Sequence, residues 1–380
     1  MNEPRKVLYI DTALRIWGGQ RSLYELIDNL DRGRYVPVIA VPKASRTENL
    51  FGVLAETHTF PAHSAIDGRP TKPLPAFRSV YLISRLAKNI KPDIIHANTF
   101  LAALFVSFIP FLNVPWILHQ RDSKDHGLLG RLVAGRAAKI IAITDSTAAL
   151  FNAAELRKPL SVITEGVDLS FTAKIAEKDF KPLLKEELNV EESETLVGTV
   201  ATISPQKSQH ELLEAADRLR GIRGLYFVCV GEPYRPEDRE YLNELIRKRA
   251  ELNLEDRFFF ADYTNDLANL YGSIDILVHP AKSEGLGRVI LEAMGAGVPV
   301  LARDDGGPAE IITPGVNGFL YQPGDLSDLV GKLRNLINDP ELRNGVSEGG
   351  MITVTKEYTP RKTAERIQEV YDELLGIPII

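Results

Sequence analysis

The stretch HPAKSEGLGRVILEAMGAGVPVLARDDGGPAEIITPGVNGFLYQPGD, residues 279–325, decides the reading of this chain. It sets two carboxylates, Glu284 and Glu292, around a glycine-rich turn. They lie eight positions apart, a little over two helical turns at ~3.6 residues each. The pattern predicts that a helix opens over Gly285–Ala293, with the amides of Gly285, Leu286 and Gly287 at its positive end, a place suited to a phosphate. Glu284 then stands at the mouth and Glu292 further along the helix. A nucleotide diphospho-sugar would engage all of these, its diphosphate on the amides and its hydroxyls on the carboxylates.

In order and spacing, SEGLGRVILEAMGAGVPV resembles the donor site of the retaining, GT-B-fold glycosyltransferases of family 4, whose E-x7-E pattern lies on a strand–turn–helix. Gly306-Gly307, Glu310-Ile311-Ile312 and Asn317-Gly318 match the segment that follows. The resemblance is strongest over residues 196–325 and moderate over 7–30 and 93–170, where Gly166-Val167-Asp168 is similar to the family's interdomain G-V-D. It implies an α/β chain of GT-B fold, with two Rossmann-like domains facing a deep cleft.

The 380 residues suffice for two domains with substantial cores. With 44% hydrophobic and 25% charged residues the composition is that of an ordinary globular protein. Cys229 is the single cysteine, which excludes a disulfide framework and a cysteine-rich zinc site. It lies in the apolar run Leu225–Val230 and reads as a small buried hydrophobe. MNEPRK leads directly into VLYID without the apolar core of ~7–15 residues that a signal peptide carries. The apolar region 100–118 is broken by Pro110, Asn113 and Pro115, so it falls short of the ~20 residues of a membrane span. A cytoplasmic location is expected. Residues 1–165 hold 21 Lys and Arg against 14 Asp and Glu, a net of +7, which leaves −13 for the remainder. A basic half suits a phosphorylated acceptor or peripheral contact with an anionic inner-membrane surface; plain surface decoration is the competing explanation. Nothing points to nucleic acid.

Apolar strands alternate with amphipathic helices, the pattern of parallel-sheet α/β domains. Strands are predicted at Val7–Ile10, Val36–Val41, Asp93–His96, Trp116–His119 and Lys139–Ile143. In the second half they fall at Leu196–Val200, Leu225–Val230, Arg257–Phe260, Ile274–Val278 and Val298–Leu301. The polar stretch Thr164–Glu194 reads as the connection. The expected domains are 1–170 and 171–357, with the terminal segment 358–380, by analogy with the family, packing back on the first. A Rossmann dehydrogenase would carry G-x-G-x-x-G after its first strand. The segment DTALRIWGGQRS lacks that spacing.

Outside the opening stretch, Gly18-Gly19 lie between the first strand and a helix predicted at Ser22–Leu30, with Ser22 as N-cap. They resemble the family's first loop, which faces the cleft. His119 ends a strand, where ligands of open α/β sheets bind. VPWILHQRD is similar to the segment whose histidine lies beside the transferred sugar, and Arg121 and Asp122 follow as acceptor contacts. His96 and Asn98 form a weaker pair at similar height. His58 and His63 have no evident partner and are expected in solvent. Lys207 precedes a helix at His210–Leu219, where its ammonium can neutralise a departing diphosphate. In the family pattern G-R-L-x-x-x-K-G an arginine assists it. Thr202 stands at that arginine's place here, and Ser208 at the following glycine's; Arg288 is a candidate substitute for the missing charge. The base is expected against residues 261–264, including Tyr263. Asp304-Asp305 alone is weak evidence for a metal, and the resemblance implies metal-free catalysis without a cofactor. The proline-rich basic loop Pro61–Pro75, with Arg69 and Lys72, is a candidate acceptor-shaping element, or simply exposed.

Taken together, the resemblance implies retaining transfer of a sugar, by family precedent a hexose from UDP, to a glycan or lipid-linked acceptor in envelope polysaccharide synthesis. His119, Lys207 and Glu284 would act on the reacting groups. A GT-B epimerase or phosphorylase is the enzymatic rival. A two-domain sugar-binding protein is the non-enzymatic one.

Overall fold

In the computed structural model, residues 3–61, 65–66, 69–70, 73–110, 112–151 and 158–378 are described. His63, Lys72 and five further residues of the loop 61–75 lie outside them. The chain divides into two compact units, Met1–Gly166 with Thr359–Ile380, and Val167–Tyr358.

The first unit is built on a seven-stranded parallel sheet. Its strands are β1 (Arg5–Ile10), β2 (Tyr35–Pro42), β3 (Glu56–Phe60), β6 (Ile94–Ala97), β7 (Trp116–Gln120), β8 (Lys139–Ala142) and β9 (Leu160–Val162), in the order β3-β2-β1-β6-β7-β8-β9. A small antiparallel pair, β4 (Ala65–Ile66) and β5 (Arg69–Pro70), stands apart. The helices are α1 (Gly18–Asp28), α2 (Arg46–Gly52), α3 (Pro73–Ile90), α4 (Phe100–Ser107), α5 (Gly127–Ala134) and α6 (Asp145–Ala148). Val7–Ile10 are wholly buried because both faces of β1 are covered. One face packs Leu8 and Ile10 with Ile83, Phe105 and Val133; the other packs Val7 and Tyr9 with Leu23, Ile27 and Ile367.

β3 runs Glu-Thr-His-Thr-Phe at the sheet's edge, too polar to read as a strand from sequence. It changes the reading of His58, whose Nε2 meets Glu56 Oε1 at 2.8 Å on the same face two residues away.

The second unit carries a six-stranded parallel sheet of β10 (Thr195–Val200), β11 (Leu225–Val230), β12 (Phe258–Ala261), β13 (Ile276–His279), β14 (Val300–Arg303) and β15 (Phe319–Tyr321), ordered β12-β11-β10-β13-β14-β15. Its helices are α7 (Thr172–Ile175), α8 (Leu183–Glu187), α9 (Gln209–Arg218), α10 (Pro236–Glu251), α11 (Leu267–Ser273), α12 (Arg288–Gly295), α13 (Gly307–Ile311), α14 (Leu326–Asn338) and α15 (Pro340–Glu357). Cys229 is buried in this core, and burial pushes its thiol pKa far up, so it behaves as a hydrophobe.

The last helix, α16 (Pro360–Leu375), belongs to the first unit. Asp372 on it accepts from Arg34 and from the Tyr35 hydroxyl, both at 2.5 Å, and Gln368 Oε1 accepts from the Asp31 amide at 2.8 Å. Gly166 is required where this helix begins. A Cβ there would lie 2.1 Å from the Thr359 carbonyl carbon, and the Gly166 amide donates to Thr363 Oγ1 at 2.8 Å.

In each sheet the strand order reverses beside the first strand, between β1 and β6 and between β10 and β13. Crevices at such points, beyond the carboxyl ends of the strands, are where open α/β sheets take ligands.

Candidate active site

In the second unit, the loops that follow β10 and β13 meet at the reversal point. The Lys282 amide donates to the Gln206 carbonyl at 2.8 Å, which lays the turn Pro205–Lys207 against the loop after His279. Lys207 is thereby delivered to Glu284, and its ammonium donates to Oε2 of that carboxylate. His279 Nε2 approaches the same oxygen at 3.3 Å. Burial by itself would raise the pKa of Glu284, but the Lys207 charge and then His279 outweigh it and hold the carboxyl well below its usual range. Lys207 and Glu284 keep 23% and 17% of their side-chain surface exposed. His279 was not anticipated, although its place at the end of a strand five residues before Glu284 was a usable signal.

The helix over this turn begins at Arg288, with Gly287 as its N-cap at φ 84°, rather than at Gly285. The amides of Gly285 and Leu286 therefore belong to the preceding turn, and the first helical amides are those of Arg288 and Val289. The glycine pair 306–307 sets the turn's shape. A Cβ on Gly306 would sit 2.4 Å from Glu284 O, and one on Gly307 2.5 Å from Gly285 O, while the Gly307 amide donates to Glu284 O at 2.8 Å. Glu292, 5% exposed, accepts from the Tyr271 hydroxyl at 2.7 Å, with Arg288 at 3.6 Å one turn before it. Burial, followed by the Glu292 charge, raises the Tyr271 pKa well above its ordinary value; Tyr263 and Arg288 act on the same hydroxyl more weakly. Tyr263 is 39% exposed in the loop after β12. The structure thus brings Glu292, Arg288 and Tyr263 around Tyr271, a residue 21 positions upstream of Glu292 that sequence did not single out.

Thr202 is half-buried and accepts through its carbonyl from Gln209 Nε2 at 3.0 Å. Ser208, where the family pattern has glycine, adopts φ 52° and is fully buried. Asp304 and Asp305 diverge: Asp305 accepts from the Ser283 amide at 2.9 Å, and Asp304 from Gln322 Nε2 at 3.3 Å. Among the described residues no group of three or more His, Cys, Asp or Glu is placed to hold a metal ion.

In the first unit, α1 begins at Gly18, so Gly18 and Gly19 are its first two helical residues and Ser22 is a buried interior residue, not the cap. Gln20 closes the turn, its Oε1 accepting from the Trp17 amide at 3.2 Å and its Nε2 donating to Asp11 at 2.9 Å. Asp11 also accepts from Asn98 Nδ2 at 2.5 Å. Burial raises the pKa of Asp11, opposed by those two bonds. Asn98 is 1% exposed and its Oδ1 has no hydrogen-bond partner among the described residues.

His119 is placed differently from expectation. It has no exposed surface. Its Nδ1 lies 3.0 Å from His96 Nε2 and 3.2 Å from Arg121 Nη2, and its Nε2 lies 3.7 Å from Glu165 Oε1, beyond hydrogen-bond length. Glu165 pairs with Arg121, whose aliphatic stem would be 3.4 Å from a Cβ on Gly19. His96 Nδ1 meets the Tyr371 hydroxyl at 2.7 Å, and that hydroxyl meets Tyr9 at 2.9 Å. The imidazole is enclosed in this structure, with His96 and Arg121 as its neighbours. Burial, and then the Arg121 charge, keep both histidines well below the usual pKa and hence neutral. Because guanidinium only donates, His119 Nδ1 accepts, His96 Nε2–H donates to it, and Tyr371 donates to His96 Nδ1. Asp122, exposed, accepts from Gln120 and from the Lys124 amide and shapes its own turn.

Comparison with known proteins completes the picture. Residues 16–171 match the profile of glycosyltransferase family 4, and residues 180–351 that of the glycosyl transferases group 1. The chain belongs to the family 4, group 1 glycosyltransferases. Sulfoquinovosyl transferase from Arabidopsis thaliana is 30% identical over 319 residues, 78% of this chain and 59% of that protein. A lipopolysaccharide 1,2-N-acetylglucosaminetransferase from Salmonella typhimurium is 26% identical, the match covering 61% of each. The match thus spans about three fifths of these two relatives. The fold is that of Anabaena HepE crystallised with UDP-glucose, at a TM-score of 0.82 and 23% identity over 97% of this chain and all of that one. Two Rossmann-like α/β units of GT-B type are thereby established. No helix among the described residues is long and apolar enough to cross a membrane.

Proposed function

We propose that this glycosyltransferase moves a sugar from a nucleotide diphosphate, by family precedent UDP, to a glycan or lipid-linked hydroxyl with retention of anomeric configuration. The observation that carries the reading is the Lys207–Glu284–His279 cluster at the reversal point of the second sheet. A diphosphate is a stronger partner for the Lys207 ammonium than one carboxylate is. On its arrival Lys207 turns to the phosphates and frees Glu284 to accept sugar hydroxyls. The first-turn amides of α12 add their dipole to the phosphates, and Glu292, oriented by Tyr271, takes the ribose.

Transfer breaks the bond from the anomeric carbon to the phosphate oxygen and forms one to the acceptor oxygen on the same face. The acceptor's proton passes to the departing phosphate oxygen, so no separate base is needed. Lys207, Arg288 and the helix terminus supply the positive charge, and no metal or cofactor takes part. Asn98, Arg121 and Asp122 form the acceptor-side group, Gly18 and Gly19 serve donor binding, and His119 acts through Arg121. Relatives named for lipopolysaccharide N-acetylglucosamine transfer and for sulfoquinovosyl transfer support an envelope glycan or glycolipid as the product class.

Calorimetry with UDP, GDP and ADP tests the donor site. A charged hydrogen bond is worth ~1.5–3 kcal/mol, so Lys207→Met is expected to weaken the preferred nucleotide by ~10–150-fold. Unchanged affinity for all three nucleotides would refute the assignment. Product from a labelled UDP-sugar without acceptor would instead point to an epimerase.

A further inference from the structure

Lys207 and Glu284 are each flanked by a serine in the left-handed region. Ser208, directly after Lys207, has φ 52°, and Ser283, directly before Glu284, has φ 51°. A side chain makes that conformation costly, so a residue other than glycine keeps it only where its surroundings hold it. Ser208 is buried, and its carbonyl accepts from the Glu211 amide at 2.9 Å as α9 opens. Ser283 is exposed and lies outside any helix or strand, so enclosure does not hold it.

The hold comes from the loop after β14. Asp305 Oδ2 accepts from the Ser283 amide at 2.9 Å, and the Gly307 amide donates to the Glu284 carbonyl at 2.8 Å. One anchor fixes the peptide plane before Ser283, the other the plane after Glu284. The backbone torsions that aim the Glu284 side chain lie between them. The Gly307 anchor is main chain; Asp305 is the anchor that a side chain supplies.

Asp305 is itself set in a network. Its Oδ2 lies 4.0 Å from Arg303 Nε, a buried nitrogen with no hydrogen-bond partner among the described residues. Arg303 Nη1 donates to Glu211 Oε1 at 2.6 Å, and the Tyr321 hydroxyl donates to Glu211 Oε2 at 2.8 Å. Glu211 stands in the first turn of α9, next to the Lys207 turn. The end of β14 thus links the Lys207 side of the site, through Glu211, to the Glu284 side, through Asp305.

We propose that Asp305 is a positioning residue of this site, its carboxylate holding Ser283 in the left-handed conformation that aims Glu284 at Lys207 and, when a donor is bound, at its sugar. Only that last contact rests on the donor assignment made above.

Carboxyl carbon-13 NMR of the full chain, with the Glu284 signal assigned through Glu284→Gln, tests the conformational step. In the native chain Glu284 stays ionised where free glutamate titrates, at pH ~4.3, because burial, which would raise its pKa, is outweighed by Lys207 and His279. Asp305→Ala is expected to move the titration back toward that value by about one pH unit or more. Asp305→Asn keeps an accepting oxygen and should move it less, and Ser283→Gly alone should not move it. Glycine takes the left-handed conformation without penalty, so Ser283→Gly added to Asp305→Ala should recover most of the shift. An unmoved titration in Asp305→Ala overturns the proposal, as does a shift that Ser283→Gly leaves in place. If Asp305→Ala does not fold, the same pair of measurements on Asp305→Asn decides it.

Calorimetry with UDP and UDP-glucose addresses the sugar contact. Asp305→Ala is expected to lose about tenfold in affinity for UDP-glucose, through Glu284, and none for UDP. Equal losses for both would assign Asp305 to the fold of the second unit and overturn the positioning role. A native chain that binds UDP-glucose no better than UDP, or binds neither, would count against the donor assignment, and the titration still decides what Asp305 does.

Discussion

The direction of hydrogen donation through Tyr9, Tyr371, His96 and His119 makes a quantitative prediction about two tyrosines that otherwise look equivalent. Both hydroxyls are buried and 2.9 Å apart. If Tyr371 donates to His96, Tyr9 must donate to Tyr371. Tyr9→Phe then removes one donated bond and leaves Tyr371 still bonded to His96, a loss of ~1 kcal/mol. Tyr371→Phe strands two groups, the Tyr9 hydroxyl proton and the His96 Nδ1 lone pair. Each buried, unsatisfied group costs ~1–3 kcal/mol, so the expected loss is ~2–6 kcal/mol. In the double variant the Tyr9 hydroxyl is gone and only His96 remains stranded, at ~1–3 kcal/mol. Tyr9→Phe should therefore partly rescue Tyr371→Phe.

Native-state hydrogen exchange of the β1 and β6 amides reads the stability of the first unit directly, and urea unfolding gives the parallel global measure. The expected ranking is Tyr9→Phe mildest, the double variant intermediate, and Tyr371→Phe worst. Equal costs for the two single variants would refute the donation order. So would a double variant whose loss is the sum of the two, because that is the result for independent sites.

Acid should weaken the first unit through its two buried histidines. His96 and His119 are held neutral in the fold, whereas the unfolded chain protonates them below pH ~6.5. Stability is then lost as pH falls through that value, at up to ~1.4 kcal/mol per pH unit for each histidine. Glu284, depressed in the fold, loses its contribution only below pH ~4.5, outside this window. Exchange in β1 and β6 followed from pH 7.5 to 5.5 checks the sign, and a flat profile would mean the histidines already titrate in the folded unit. Ser208→Gly should relieve a left-handed conformation that costs a non-glycine residue ~1–2 kcal/mol, raising the melting temperature by ~2–4 °C per kcal/mol gained; a lower melting temperature would show that the buried Ser208 side chain is needed where it stands.

What could be read from the sequence divides along the physics of each cluster. Glu284, Arg288 and Glu292 were legible because one turn and one helix set their spacing, so the chain's own periodicity carries the geometry. The start of α12 was misplaced by three residues because Gly287 takes a positive φ and serves as cap, a conformation open to either of the two glycines that flank Leu286. The start of α1 was misplaced the opposite way. There the cap is supplied by Gln20 reaching back to Trp17, not by the serine that propensity favours. The histidine–tyrosine chain was illegible for another reason. Tyr9 faces His96 only through the β1–β6 register, and Tyr371 arrives from a helix 275 residues beyond His96. Spacing carries no signal of such a contact, which depends on the docking of α16.

Exposure distinguishes the two polar clusters that stand toward the carboxyl ends of these sheets' strands. In the first unit His119, Glu165 and the Arg121 side chain are 0, 4 and 8% exposed. A ligand reaching those groups must first open the packing that surrounds them. In the second unit Lys207 and Glu284 form an ion pair of comparable chemistry with 23 and 17% of their side-chain surface in contact with solvent. Partial exposure lowers the cost of exchanging one partner for another, since solvent screens the charges during the exchange, and a diphosphate offers the ammonium more negative charge than the carboxylate it replaces. The same argument assigns the clusters opposite duties. On the proposed reading the enclosed one holds Arg121 on the acceptor side and should respond to substitution through both stability and transfer, whereas the exposed one exchanges partners and should respond through nucleotide affinity.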